Sequence, residues 1–348
     1  MGISYEVTGT IASGNPFIVM ATDRTSGATY TAVASALSGD TGTAAGKHEL
    51  VWDLDKQGIS LHSTNVTFTV ADEWPLYCVV DLSGGATASS YLVTYMDAPP
   101  SGGFNTDAYK TTKLVLRRIP AGTFTMGSPS GESDRHSDET QHQVTLTMPF
   151  YIGLFEVTQT QWELVTGSTA DFSAGDKRPV EVVSWNTIRG NTNWPSSSAV
   201  SADSFMGRLR ARTGLEFDLP TEAQWEYACR AGTTTAYSYG ASANGDYMWY
   251  VSNSSWRIHE VGTKKPNAWG LYDMHGNVCE WCLDWYASNL GTAAVTDPKG
   301  ASSGSLRVGR GGCWLDNAAH CRSAYRYDDD PSITDHPLGF RLSRGLSE

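Results

Sequence analysis

Hydrophobic positions along the first hundred residues come in short bursts separated by Gly, Ser and Asn. Runs at 5–10, 17–21, 29–33, 49–52, 66–70, 76–80 and 90–95 are strand-like and recur about every ten residues, the spacing of a small β-sandwich. Val66-Thr67-Phe68-Thr69-Val70 alternates as a strand with one wet face does, whereas Gly46-Lys47-His48-Glu49 reads as a polar turn. Pro99-Pro100-Ser101-Gly102-Gly103 breaks the pattern. The predicted division is a domain over 1–100, a linker over 101–111 and a second domain over 112–348.

The second domain opens with a hairpin: a strand from 114, a Pro-Ala-Gly turn and a strand ending at Met126-Gly127. The polar run 128–142 reads as a solvated loop, followed by a strand over 143–148 and an extended segment over 150–156. Thr158, with Gln161 three residues on, makes a capping box for a helix over 159–166. An extended stretch over 179–185 leads into a second helical stretch, and 205–213 is helical as well. Thr221, with Gln224 at N3, begins the clearest helix, with Trp225 and Ala228 on one face and Gly232 as its stop. Residues 233–348 read as loops and short strands, which makes the chain α+β.

Residues 307–342 combine a spare frame with an irregular filling. Gly311-Gly312, Trp314, Arg322, Arg326, Gly339-Phe340 and Arg341 are residue types that fix backbone path and packing. Between them Leu315, Asp316, His320, Tyr325, Tyr327, Asp328, Asp329, Asp330, Ile333, Asp335 and His336 follow neither a period of 2 nor one of 3.6. A displayed surface on a rigid support has this texture. Tyr325 and Tyr327 are the best contact candidates, because interface energy concentrates in aromatic anchors. The arginines are read as held by internal hydrogen bonds and aromatic stacking, with ligand binding as the other option. Asp328-Asp329-Asp330 is either a solvated or ligand-facing surface or a calcium site. His320 and His336 are surface contacts first and acid–base groups second.

Charge narrows the choice of partner. With 37 acidic and 25 basic residues the net charge is -12, so a long footprint on nucleic acid or an anionic membrane is not expected. No apolar run reaches the length of a membrane span, and no signal-peptide pattern follows Met1. The counts of 35 Gly, 12 Trp and 16 Tyr suit a loop-rich fold held by aromatic packing. The cysteines, Cys78, Cys229, Cys279, Cys282, Cys313 and Cys321, are too few for a disulfide scaffold. Cys279-x-x-Cys282 has no second pair and no thioredoxin-like context, so structural thiols come before a redox or zinc reading.

Six blocks in order resemble the formylglycine-generating enzyme family of sulfatase-modifying proteins, from about 112 to 344. They are Ile119-Pro120-Ala121-Gly122-x-Phe124-x-Met126-Gly127-Ser128, Phe155-Glu156-Val157-Thr158-x-x-Gln161-Trp162, Pro179-Val180-x-x-Val183-Ser184-Trp185, Leu219-Pro220-Thr221-Glu222-Ala223-x-Trp225-Glu226-Tyr227-Ala228, Asn267-x-Trp269-Gly270-Leu271-Tyr272-Asp273-Met274-x-Gly276-Asn277-Val278-x-Glu280-Trp281, and Arg310-Gly311-Gly312 through Gly339-Phe340-Arg341. The resemblance implies a C-type lectin-like fold for 112–348, and the strand-like runs before it are those of a small all-β, immunoglobulin-like sandwich. It implies two copper-binding cysteines in the last block for an oxidase. The second falls on Cys321, but the first falls on Asp316, and a hard carboxylate does not replace a soft thiolate on a cuprous ion.

The last block also resembles that of variable proteins diversified by retroelements. Arg310-Gly311-Gly312-Cys313-Trp314, Cys321-Arg322-Ser323-Ala324, Arg326 and Leu338-Gly339-Phe340-Arg341-Leu342 carry that likeness. Adenine-directed change of Asn codons there yields Asp, His, Tyr, Ile and Leu, the residues of the irregular set. The resemblance thus implies a ligand-binding protein rather than an enzyme, on a cell surface or a phage virion, with a protein or cell-surface ligand. No cofactor is required. A structural calcium ion on Asn277 and Glu280 is implied by the same resemblance, with hydrogen bonding of the surrounding loops as the alternative. A metal-dependent oxidase is the competing reading of the whole chain, and the oligomeric state is left open.

Overall fold

The computed structural model describes residues 73–169, 175–190, 193–334 and 337–346 and the six strands that precede residue 72. The chain divides into two compact units. One comprises Met1–Val80 and Leu92–Ala98 with Ser347–Glu348, and the other Asp81–Tyr91 and Pro99–Leu346.

In the first unit β1 (Gly2–Val7), β2 (Ile18–Asp23), β3 (Thr29–Thr31), β4 (Leu37–Gly39), β5 (Gly46–Trp52) and β6 (Val66–Ala71) form two three-stranded antiparallel sheets, ordered β1-β5-β4 and β3-β2-β6. β7 (Tyr77–Asp81) and β8 (Leu92–Met96) are hydrogen-bonded neighbours. The polar Gly46-Lys47-His48 is not a turn. It lies inside β5, where Val7 faces Gly46 and Tyr5 faces His48. A ladder is built by the backbone, and polar residue types do not prevent it.

The stretch Asp81–Tyr91, between β7 and β8, belongs to the second unit. The Tyr91 hydroxyl donates to the Leu164 carbonyl at 2.9 Å, and Arg212 Nε donates to the Ala88 carbonyl at 3.0 Å. Buried polar atoms of this kind need partners, and here they fix the excursion in place.

The second unit contains α1 (Asp107–Lys110), β9 (Lys113–Ile119), β10 (Gly122–Met126), β11 (His142–Leu146), β12 (Phe150–Gly153), α2 (Gln159–Thr166), α3 (Trp185–Arg189), α4 (Phe205–Thr213), β13 (Phe217–Asp218) and α5 (Glu222–Arg230). After these come β14 (Cys279–Trp285), β15 (Val295–Thr296), β16 (Arg307–Arg310), β17 (Arg326–Asp329), β18 (Leu338–Gly339) and β19 (Ser343–Gly345). Three sheets result, with neighbouring strands β13-β19-β12-β9, β10-β11-β15 and β17-β16-β14-β18. Helices and short mixed sheets together make this unit α+β.

Both expected capping boxes form. Thr158 receives the Gln161 amide and Thr221 receives the Gln224 amide, with each glutamine side chain returning to the cap backbone. α5 ends one residue before the expected glycine, because Ala231 takes the left-handed cap at φ 46° and donates to the Tyr227 carbonyl. The helix is a wedge in the main core: Ala223, Trp225 and Ala228 pack with Ile119, Met126, Val144, Phe150, Cys282 and Val308.

β14 is the longest element in a region that reads as loops and short strands. Its residues from Cys279 to Asp284 are buried, and it lies between β16 and β18. An all-buried strand carries no alternation, which hides it from pattern reading. Trp281 Nε1 donates to the Val183 carbonyl at 2.9 Å and Trp185 Nε1 to the Cys282 carbonyl at 3.0 Å, tying it to the α3 segment. Arg307 of β16 lies over the Trp285 and Trp185 rings, at 3.2 and 4.0 Å from their centroids.

Asp284 accepts the Glu222 amide at 2.8 Å, and burial beside the Glu222 carboxylate pushes its carboxyl up to about 7. The folded chain therefore holds this proton up to a higher pH than the unfolded chain, whose aspartates release it near 3.8. Between those values the folded state binds the extra proton, so this contribution to stability falls as pH rises. His275, held down to about 4 by burial, works in the opposite direction at lower pH. Asp284→Asn keeps an acceptor for the Glu222 amide and removes the titration. Relative to the parent it should gain stability as pH rises toward 7, as read by denaturant midpoints across that range.

Candidate functional site

The C-terminal block is held from below by buried arginines. Arg310 is fully buried. It pairs with Glu226 of α5 and donates to the carbonyls of Ser323 at 3.0 Å and Ala324 at 2.9 Å. Arg326 grips Glu222, one helical turn away on α5, through two bonds of 2.6 and 2.9 Å. Arg322 takes both oxygens of Glu139 at 2.7 Å and reaches Glu132 at 2.7 Å. Arg341 takes both oxygens of Glu280 at 2.6 Å and the Gly153 carbonyl at 2.9 Å. Bidentate guanidinium–carboxylate pairs fix orientation as well as charge, so the path of the block is set at four points.

Glycine completes the frame. Gly311 and Gly312 have φ of 96° and 66°, and a Cβ on Gly312 would stand 2.6 Å from the His320 carbonyl oxygen and 2.9 Å from Cys321 Sγ. Only glycine fits there. Trp314 donates its amide to the Asn277 carbonyl at 2.9 Å and packs with Ile258 and Val278. Asn317 caps the short 3-10 turn Ala318–Cys321 through the Ala319 amide.

The irregular residues lie on the other side of this frame. Leu315, Asp316, His320, Tyr325, Asp328, Asp329 and Ile333 are half-buried, while Tyr327 and Asp330 are exposed. Asp335 and His336 lie outside the described residues. The frame residues Arg310, Gly311, Gly312, Trp314, Arg322, Arg326, Gly339, Phe340 and Arg341 are all buried. Burial thus divides the block along the line that its residue types draw.

Asp316 organises one end of the exposed group. Its Oδ2 accepts the Cys313 amide at 3.0 Å, and its Oδ1 lies 3.1 Å from His320 Nδ1. His320 stacks on Tyr325 with centroids 4.5 Å apart, and His136 meets Tyr325 edge-on at 5.2 Å. Burial, with the Asp316 carboxylate, raises the Tyr325 hydroxyl above its usual range. At the other end the Tyr327 hydroxyl donates to Asp329 Oδ2 at 2.9 Å. Asp330 Oδ1 accepts the Ser332 amide at 2.8 Å and its hydroxyl at 2.6 Å. Asp329 and Asp330 thus engage different partners, and among the described residues no three carboxylates of this run are grouped to hold an ion.

Residues 128–142 form a largely exposed loop, as expected, but three of its side chains turn inward. Glu139, Ser128 and His142 are buried, the Ser128 hydroxyl donates to Glu139 at 2.6 Å, and Glu139 carries Arg322. The segment also brings His136 to Tyr325 and Asp138 to Tyr286, at 2.9 Å from its hydroxyl. Four arginines in an otherwise uncharged frame require carboxylates from elsewhere, and Glu132, Glu139 and Asp138 of this run serve Arg322 and Arg326.

The donor atoms at the implied copper position do not fit that ion. Residue 316 is a carboxylate engaged with Cys313 and His320, and Cys321 is fully buried, its thiol pushed up by burial and by Asp316. Neither supplies the thiolate pair a cuprous ion takes. Among the described residues no three His, Cys, Asp or Glu side chains are grouped to hold a metal ion. The family's copper–cysteine site is therefore lost at Asp316. Cys279 and Cys282 are separate buried thiols.

The implied calcium donors are engaged too. Both oxygens of Glu280 serve Arg341, and Oε2 also accepts Trp225 Nε1 at 2.7 Å. Asn277 Oδ1 accepts the His259 amide at 3.0 Å, and its Nδ2 donates to Glu156 at 2.7 Å. These two side chains fasten loops to one another.

Residues 103–346 match the family described as "Sulfatase-modifying factor enzyme 1-like domain". The formylglycine-generating enzyme of Mus musculus is 26% identical over 67% of this chain and 75% of its own. Among solved structures, Treponema denticola variable protein 1 is 30% identical with a TM-score of 0.58, covering 68% of this chain and 96% of that one. PvdO from Pseudomonas aeruginosa is 26% identical with a TM-score of 0.57, covering 67% and 94%. With two thirds of its length matched, and the blocks of that match forming its core and arginine frame, the chain belongs to the sulfatase-modifying factor enzyme 1-like domain family.

Proposed function

We propose that this is a ligand-binding variable protein that displays a diversified surface on a C-type lectin-like scaffold and is the target of a diversity-generating retroelement. The observation that carries the reading is the division within 307–342 between buried frame residues and outward irregular ones. Likeness to a Treponema denticola variable protein supports it. The binding residues are Leu315, Asp316, His320, Tyr325, Tyr327, Asp328, Asp329, Asp330 and Ile333, joined by Asp335 and His336. Tyrosine suits this work because it offers wide amphipathic contact at small entropic cost. In the same reading 1–100 is an immunoglobulin-like spacer, 112–348 carries the display, and the ligand is a protein or cell-surface group met from a cell surface or virion. No helix among the described residues is long and apolar enough to cross a membrane.

The exposed set should be exchangeable and the frame should not. A combined Tyr327→Ala, Asp329→Asn and Ile333→Ser variant should shift the thermal midpoint by no more than about 5 °C, since surface changes fall within about 0.5 kcal/mol each and about 1 kcal/mol moves a unit of this size by about 2–4 °C. Arg326→Ala leaves Glu222 buried without its partner and should cost about 3–5 kcal/mol, read by denaturant unfolding.

The genetic origin is tested by sequencing the DNA around the gene. A near-identical second copy of codons 307 to 342, differing at adenines and lying beside a reverse transcriptase gene, is the expected result. A locus with no such copy would overturn the retroelement assignment.

A further inference from the structure

The search for contacts beyond the C-terminal block leads to the loop 249–259. Among the described residues Trp256 is the most exposed large apolar side chain, at 69%, with Tyr327 at 37%. Ser255 and Trp256 have φ of 55° and 57°. A bulky residue takes that left-handed conformation only when its surroundings hold it there.

What holds the loop is the display block itself. The Val251 amide donates to the Asp316 carbonyl at 2.9 Å, and the Ser254 hydroxyl donates to the Trp314 carbonyl at 2.8 Å. The Trp256 amide donates in turn to the Ser254 hydroxyl at 3.2 Å. Two residues on, Ile258 packs with Trp314 and Leu315. Trp256 therefore stands on a loop fastened directly to the segment that carries Leu315 and Asp316.

The chemistry of this face repeats one unit, an aromatic ring beside a carboxylate. Tyr327 comes with Asp329 at 2.9 Å, and the stacked His320 and Tyr325 come with Asp316 at 3.1 Å. A ring face and a carboxylate together suit a lysine or arginine side chain, through cation–π attraction and an ion pair. Asp328 and Asp330 add negative charge, against the exposed Arg257 beside Trp256. A second copy of a chain of net charge -12 is disfavoured as the occupant.

Resting on the ligand-display reading, we propose that Trp256 is a fixed anchor of the same binding face, outside the diversified block, and that the face takes a protein surface rich in arginine and lysine. The fixed ring supplies apolar area common to all variants, and the aspartates that this chain carries among the exchangeable residues select a cationic partner.

The full chain, immobilised, would be panned against a random peptide library, and the enriched peptides titrated against four proteins: the parent, Trp256→Ala, the triple Asp328→Asn/Asp329→Asn/Asp330→Asn, and a charge-matched control, Asp97→Asn/Asp107→Asn/Asp203→Asn. Enrichment of Lys- and Arg-bearing peptides is expected. Their affinity should fall about tenfold or more in Trp256→Ala and in the first triple, as for interface anchors, and remain unchanged in the control. Trp256→Ala alters no charge, so its loss separates a defined face from general attraction to an acidic protein. If the first triple weakens binding and Trp256→Ala does not, the anchor is overturned while the display face stands. Enriched peptides without basic residues would overturn the partner class. If neither variant changes binding, both this inference and the display reading fail.

Discussion

Pairing of buried arginines with buried glutamates is the constraint on which the second unit rests. Arg310, Arg326 and Arg341 lie in or near the C-terminal block, while Glu226, Glu222 and Glu280 come from α5 and β14. Removing both charges from water is costly, and only good geometry with further hydrogen bonds offsets it. Beyond their carboxylates, Arg310 donates to the Ser323 and Ala324 carbonyls of the block, and Arg341 to the Gly153 and Tyr272 carbonyls outside it. Such pairs are weak evidence for net stability but strong determinants of position, because a displaced arginine would leave a buried carboxylate alone.

This explains how an irregular sequence can be carried by a regular fold. Glu222 and Glu226 are four residues apart on α5 and so share a face. They meet Arg326 and Arg310, which occupy opposite positions on β17 and β16. Glu139 and Glu132 hold Arg322 from the other side. The irregular residues between these points are half-buried or exposed, whereas the frame residues beside them are buried.

Much of the local structure was legible. The capping boxes at Thr158 and Thr221 announce α2 and α5 because their signals are local, within three residues. Frame and filling in the last block were readable because glycine, arginine and tryptophan have restricted uses. Long-range pairing was not readable. Arg322 and Glu139 are 183 residues apart, and nothing local distinguishes Glu139 from its exposed neighbours. A polar run such as 128–142 does not show which of its side chains turn inward until their partners are known, and β14 hides its strand character by being buried on both faces. Trp256 gave no sequence signal either, since a lone tryptophan is ordinarily a core residue.

The order of elements after the display has a consequence for incomplete chains. Arg341 and β19 follow the irregular residues, and β19 pairs between β12 and β13. A chain that stops early, or loses its reading frame within the block, lacks both the partner of Glu280 and a strand of that sheet. Truncated or frame-shifted chains therefore leave Glu280 buried without a counter-charge and the edge of β12 unpaired.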